Sequence, residues 1–197
     1  MTAQSEVMAL VLTEYDRRRD AGLVKPDAAQ RAVVAKLDQL ANELLQSAPA
    51  SGLLARFRKP PPPPKGLYIH GEVGRGKTMV MDLFHAVVDA APKRRVHFHA
   101  FMQEVHKRLH AARQSNTRDA IAPVAKAIAK EARLLCLDEM QITDIADAMI
   151  VGRLFEGLLA AGTVIVTTSN LKPDDLYRNG LNRQLFLPFI KLIGEKL

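Results

Sequence analysis

The 197-residue sequence predicts an α/β fold: a parallel sheet with helices on both faces, preceded by an N-terminal helical segment. Three observations predict it. From Gly66 onward, short apolar runs alternate with stretches of helical periodicity, the pattern that builds parallel sheets. Leu134 to Leu137 is wholly apolar, as a strand covered on both faces must be, and Thr163 to Thr168 reads as a second buried strand. A glycine-rich turn, Gly71 to Gly76, joins the first strand directly to a helix.

In chain order, residues 1–59 read as helical. Val33, Val34, Leu37, Leu40, Leu44 and Leu45 recur at helical spacing, and Asp27, after Pro26, is placed to cap that helix. Residues 60–65 form a connector. Its five prolines, Pro60 to Pro64, fix φ and lack N–H groups, so they predict extended polyproline II. A stiff lead into the first core strand is the reading adopted, and a ligand for a proline-reading domain is the alternative. Residues 66–197 form the core. Its expected elements are a strand at Gly66 to His70, a helix at Lys77 to Ala90, a strand at Arg95 to Ala100 and a helix at Met102 to Arg113. A polar break at Gln114 to Asp119 precedes a helix ending near Glu131, then the strand at Leu134 to Leu137. A helix from Asp144 to Ala161 stops at Gly162, the Thr163 strand follows, and a last helix is expected from Pro173.

Hydrophobic residues make up 48% of the chain and tryptophan is absent, so the core is aliphatic. The formal charge of +7 suits an anionic partner (nucleotide, nucleic acid or lipid headgroup) without choosing among them. Cys136 is the only cysteine, which excludes an internal disulfide and fits a reducing compartment. Met1 to Glu6 lacks a basic leader, Val7 to Leu12 is too short to span a membrane, and Glu6, Glu14 and Asp16 argue against a transit peptide. A cytoplasmic location is expected.

Gly71-Glu72-Val73-Gly74-Arg75-Gly76-Lys77-Thr78 satisfies GxxxxGK[ST] in full, between a strand and a helix. The glycines let successive N–H groups point into one cavity, and the helix N-terminus at Lys77, Thr78 and Met79 adds partial positive charge. Lys77 is expected on the β- and γ-phosphates and the Thr78 hydroxyl on Mg²⁺. The expected ligands are therefore ATP or ADP with Mg²⁺. Asp138 and Glu139 emerge from the carboxyl end of a buried strand, where ligands bind in open α/β sheets. Asp138 is the second Mg²⁺ residue, and Glu139 the group that orients or deprotonates water. Asn170, at the end of the next strand, is placed to contact the γ-phosphate or the lytic water. Cys136 lies inside a strand and reads as a packed thiol.

Longer stretches resemble the AFG-like ATPase family, of the AAA+ class. They are Gly66 to Thr78, Arg95 to His106, Leu137 to Met149 and Tyr177 to Ile190, with a supporting Gly22, Pro26, Asp27 and Gln30 pattern. Met140 departs from the family, where an aromatic is expected after Asp-Glu. The resemblance implies an AAA+ core with Walker A at 71–78, Walker B at Asp138-Glu139 and the first sensor at Asn170. It implies a ring of identical subunits, with a finger arginine offered to the neighbour: Arg183, with Arg178 as the second candidate. It also implies a protein client, in bacteria the division machinery at the inner membrane. In such a core a final strand, a second sensor and a helical lid are expected after Leu197, and none is present in the chain.

His97 and His99 on one strand face, with His106 and His110 on the next helix, raise a zinc site as an alternative to ordinary packing. Phe101-Met102 falls at a strand-to-helix junction, where it reads either as a polypeptide-gripping pore element or as core. Lys93-Arg94-Arg95 and Arg56, Arg58 and Lys59 are basic clusters. No interleaved aromatic and basic platform accompanies them, so nucleic acid is not the expected partner. A helicase-loader-like ATPase and a nucleotide-gated scaffold remain the alternative functions. The adenine contacts are expected from the segment before the glycine turn, with Asp27 and Gln30 as candidates.

Overall fold

In the computed structural model, residues 10–47, 61–114 and 119–197 are described. Successive residues of a strand face opposite ways, and the two central strands show what that requires. In β3 (Leu134–Asp138) and β4 (Val164–Ser169) every residue is buried. Leu135, Leu137 and Ile165 enter one apolar cluster, while Leu134, Cys136, Val164 and Val166 enter another on the opposite face. With β1 (Leu67–His70) and β2 (Lys93–His97) they form a wholly parallel sheet in the order β1-β4-β3-β2. Helices cover both faces, as expected from the alternation.

One face carries α1 (Leu10–Asp20), α2 (Ala28–Gln46) and α3 (Lys77–Val87), which bury Val11, Tyr15, Val34, Leu37, Leu44, Met81 and Phe84 together. Asp27 caps α2 by accepting from the N–H groups of Ala29 at 2.8 Å and Gln30 at 3.1 Å. Asp38, nearly buried on α2, accepts from Val11 N–H at 2.8 Å and Leu12 N–H at 3.3 Å. It thereby satisfies donors that the first turn of α1 cannot satisfy itself. The other face carries α4 (Phe98–Gln114), α5 (Ile121–Glu131), α6 (Ile145–Ala160, capped by Asp144) and α7 (Leu187–Lys196).

The helix expected to Ala90 ends at Val87, the strand expected from Arg95 starts at Lys93, and two stretches differ more. The second strand ends at His97 and α4 begins at Phe98, because Phe98, Phe101, Met102, Val105 and Leu109 recur at helical spacing and bury together. His99 therefore sits on a helix and not beside His97 on a strand face. No helix runs on from Pro173. Pro173–Asp175 and Arg183–Leu185 are single 3-10 turns, and the α-helix starts at Leu187. Tyr177 and Asn182 take positive φ (51° and 58°) there, which no helix accommodates. Gly180 is needed in this turn: a Cβ on it would lie 2.1 Å from the Tyr177 ring.

Pro61 to Pro64 form neither helix nor strand and lead into β1. Pro60, the segment 48–59 with Arg56, Arg58 and Lys59, the chain start, and 115–118 lie outside the described residues. No described helix is long and apolar enough to cross a membrane.

Candidate functional site

Gly74 and Gly76 of the turn after β1 take φ of 78° and 75°, conformations that side chains disfavour, and the chain can then enter α3 at Lys77. Lys77 Nζ donates to Gly71 O and Glu72 O, each at 2.8 Å, and to Asn170 Oδ1 at 2.8 Å. One ammonium thus joins the glycine turn to the end of β4. Tyr68 holds the loop beyond Asn170 by donating its hydroxyl to Leu171 O at 2.9 Å. Burial pushes the Tyr68 hydroxyl up to about 12, so it remains a donor at neutral pH.

Beside this lies a buried carboxylate. Asp138 is 0% exposed and must therefore be satisfied by the protein. The Thr78 hydroxyl donates to its Oδ1 at 3.1 Å and the Thr168 hydroxyl to the same oxygen at 2.6 Å. Arg95 Nη2 donates to Oδ2 at 2.9 Å, while its Nε donates to Asp82 Oδ1 on α3 at 2.6 Å. Thr168 Oγ1 also accepts the N–H of Glu139 at 2.9 Å. That contact stabilises a turn in which Glu139 adopts φ 57°, outside the strand conformation. The backbone swings the Glu139 side chain out of the sheet, and it is exposed.

Several of these groups line one cavity of about 510 Å³: Gly74, Gly76, Lys77, Thr78, Met79, Glu139, Thr168 and Asn170, with Val73, Asp82, Ser169 and, from α1, Arg18, while Asp138 is buried beside it. A second cavity of about 350 Å³ adjoins it, with Val33, Ile69 and Val80 as apolar walls and His70, Glu72 and Arg75 at its edge. Asp27 and Gln30 line the second cavity, and both carry structural bonds. Asp27 caps α2, and Gln30 Nε2 donates to Arg75 O at 3.1 Å, bracing the glycine turn.

The sequence-expected residues of the glycine turn, Asp138, Glu139 and Asn170 thus converge. Arg183 does not join them. It sits in its 3-10 turn, donating Nη2 to Asp174 O at 2.6 Å. Arg178 is 74% exposed and pairs with Asp175 at 3.1 Å. Arg95 and Thr168 were not expected to hold Asp138. The register carries the missed signal: Arg95 stands opposite Cys136 on the neighbouring strand. Asp138, two residues on from Cys136, shares its face.

Among the described residues no group of three or more His, Cys, Asp or Glu could hold a metal. His106 instead bonds Asp147 at 2.7 Å, joining α4 to α6. Phe101 and Met102 are buried (0% and 1%) in the core, so they cannot line a pore. The basic run is engaged internally: Lys93 on the carbonyls of His85 and Val88, Arg94 on Glu104, Arg95 on the two aspartates. Cys136 is packed, and burial pushes its thiol up to about 12.

Solved structures repeat this fold. AMPPCP-bound DnaA from Aquifex aeolicus superimposes with a TM-score of 0.57 at 17% identity, over 89% of this chain and 47% of that one. DnaI does so with a TM-score of 0.56 at 16% identity, over 88% and 83%. The likeness shows a shared fold, a parallel sheet with helices on both faces. Sequence relatives are nearer. Cell division protein ZapE of Escherichia coli K12 is 42% identical over 195 residues, 93% of this chain and 52% of its own length. Lactation elevated protein 1 homolog B of Danio rerio is 51% identical over 144 residues, 68% of this chain and 29% of its own. The chain thus spans about half the length of the first and under a third of the second. The AFG1-like ATPase family model matches residues 10–197, which takes in both helical layers, the sheet and every residue around the cavity, and the chain belongs to that family.

Proposed function

We infer that this chain binds ATP with Mg²⁺ in the larger cavity and hydrolyses it. The observation that carries this reading is the convergence of Lys77, Thr78, Glu139 and Asn170 from three separate segments on one 510 Å³ space, with the buried Asp138 bonded to Thr78 beside it. Lys77 binds the β- and γ-phosphates in exchange for its carbonyl partners, with the N–H groups of the glycine turn around it. The smaller cavity takes the base between Val33, Ile69 and Val80. The Thr78 hydroxyl and the Asp138 carboxylate, 3.1 Å apart, are hard oxygen donors of the kind Mg²⁺ takes, and they would hold it. Bound there, the ion would offset charge developing on the phosphate oxygens. Glu139, exposed on its left-handed turn, orients the attacking water and accepts its proton. Asn170 reports the γ-phosphate position to Lys77 through their shared bond.

The proposal extends to assembly. A neighbouring copy supplies a finger arginine to the γ-phosphate, and the ring acts on a protein client of the division machinery from the cytoplasmic side of the inner membrane. Arg183 is the family-pattern candidate, and Arg178, at 74% exposure, offers the freer guanidinium. The 42% identity to ZapE supports the division role. Replacing Glu139 by Gln tests the enzymatic reading. ATP should remain bound while phosphate release stops. Unchanged release would mean that Glu139 does not act on water, and absence of release in the wild type would favour a nucleotide-gated scaffold.

A further inference from the structure

The phosphate cavity has a wall that the glycine turn does not supply. Arg18, on α1, lines it together with Lys77, Thr78, Met79 and Asp82. Nothing in GxxxxGK[ST] calls for a residue there. Arg17, Arg18 and Arg19 are adjacent in sequence, and only Arg18 reaches the cavity. Arg17 is 64% exposed and spends its Nε and Nη2 on Glu14. Arg19 is engaged by Asp16 and Asp20. Arg18 donates Nε to Glu14 Oε1 at 2.8 Å, which fixes the plane of its guanidinium. Among the described residues neither of its Nη groups has a hydrogen-bond partner.

The helix that carries Arg18 is rigidly placed. Tyr15, one turn earlier, is 1% exposed and packs in the core with Phe84 and Leu37. Its hydroxyl donates to Gln30 Oε1 at 3.3 Å, and Gln30 Nε2 passes the contact on to Arg75 O in the glycine turn. That contact is close: a Cβ on Gly76 would meet Gln30 Nε2 at 2.8 Å. Asp38 holds the first turn of α1. The α1–α2 hairpin is therefore docked on the nucleotide loop from one side and places an arginine on the cavity from another.

We propose that Arg18 binds the polyphosphate of the nucleotide in cis, so that the N-terminal hairpin is part of the nucleotide site. The proposal rests on the nucleotide reading above and adds a residue and a function for α1 to it. A planar guanidinium with two unspent Nη groups suits phosphate oxygens, which it can take in pairs. Binding and docking are then reciprocal: nucleotide tightens α1 on α3, and a displaced α1 weakens nucleotide binding. As a half-buried i,i+4 pair with no ligand role, Glu14–Arg18 would instead contribute only weakly to the stability of the helix.

The test is equilibrium binding of ATP, and of inorganic tripolyphosphate as a competitor, to the wild-type chain, Arg18→Ala, Arg18→Lys, Arg17→Ala and Lys77→Ala. Hydrogen exchange of α1 is followed with and without saturating ATP. Arg18→Ala should weaken ATP and tripolyphosphate about tenfold or more, the scale of a lost charge-assisted bond. Arg18→Lys should recover part of that loss and Arg17→Ala should match the wild type. ATP should protect α1 amides in the wild type and protect them less in Arg18→Ala. Equal affinity in the wild type and Arg18→Ala, with loss in Lys77→Ala, overturns this proposal and leaves the site intact. A wild-type chain that binds neither ligand overturns the site and the proposal together.

Discussion

Lys77 Nζ and Asn170 Oδ1 lie 2.8 Å apart, so the start of α3 and the end of β4 are joined by a charged hydrogen bond across the mouth of the cavity. Asn170→Ala removes the acceptor and leaves Lys77 its two carbonyl partners. A bond to a charged group contributes about 1.5–3 kcal/mol. Turnover should fall about tenfold or more, while ATP affinity changes much less. Steady-state kinetics beside equilibrium binding separates the two effects. A parallel loss of affinity would show that Asn170 acts in ground-state binding.

Arg95 balances a carboxylate that is fully buried. Arg95→Ala leaves Asp138 buried without its guanidinium. Breaking a buried pair costs about 3–5 kcal/mol, and since Arg95 is a quarter exposed the expected loss is about 2–3 kcal/mol. Urea denaturation should show a lower midpoint with an unchanged slope. Arg95→Ala combined with Asp138→Asn should cost less than the sum of the single changes. Strict additivity would mean that the two side chains do not interact.

Phe101→Ala tests the core assignment of α4. Truncating a fully buried phenylalanine costs about 3–5 kcal/mol. Thermal unfolding should show it directly. A variant as stable as the wild type, with only partner-stimulated turnover lost, would restore the pore reading.

The Cys136 thiol, held protonated up to about 12 by burial, makes stability depend on alkaline pH. An unfolded thiol ionises near 8.5. Below that value both states are protonated and the thiol contributes no pH dependence. Above it only the unfolded state releases the proton, so stability should fall by about 1.4 kcal/mol per pH unit toward 12. Cys136→Ala should lose this component of the slope. Alkylation at pH 8 should be slow in the folded chain and fast in urea.

The sequence made the candidate site legible where local chemistry dictates it. The glycine turn, Lys77 and Thr78 are contiguous, and Asp138, Glu139 and Asn170 follow apolar runs whose direction places them at one sheet edge. What it concealed depends on partners distant in sequence. Arg95 looked like one of three surface cations because its aspartates lie on another strand and another helix. Arg18 carries no local signal of its role, because the packing of Tyr15 decides where α1 rests. Phe98 could belong to strand or helix by its apolar character alone, and burial with Met102 and Val105 decided for the helix. The turn at Tyr177 to Asn182 escaped notice because its left-handed residues are not glycines.

The most direct measurement is calorimetric titration of ATP with Mg²⁺ into the folded wild-type chain and Lys77→Ala, with phosphate release followed across a range of protein concentrations. Saturable one-site binding by the wild type, lost in Lys77→Ala, with release per subunit rising with concentration, is the predicted result. A folded wild-type chain that binds no ATP, or binds it equally well without Lys77, would contradict the nucleotide site on which the account rests.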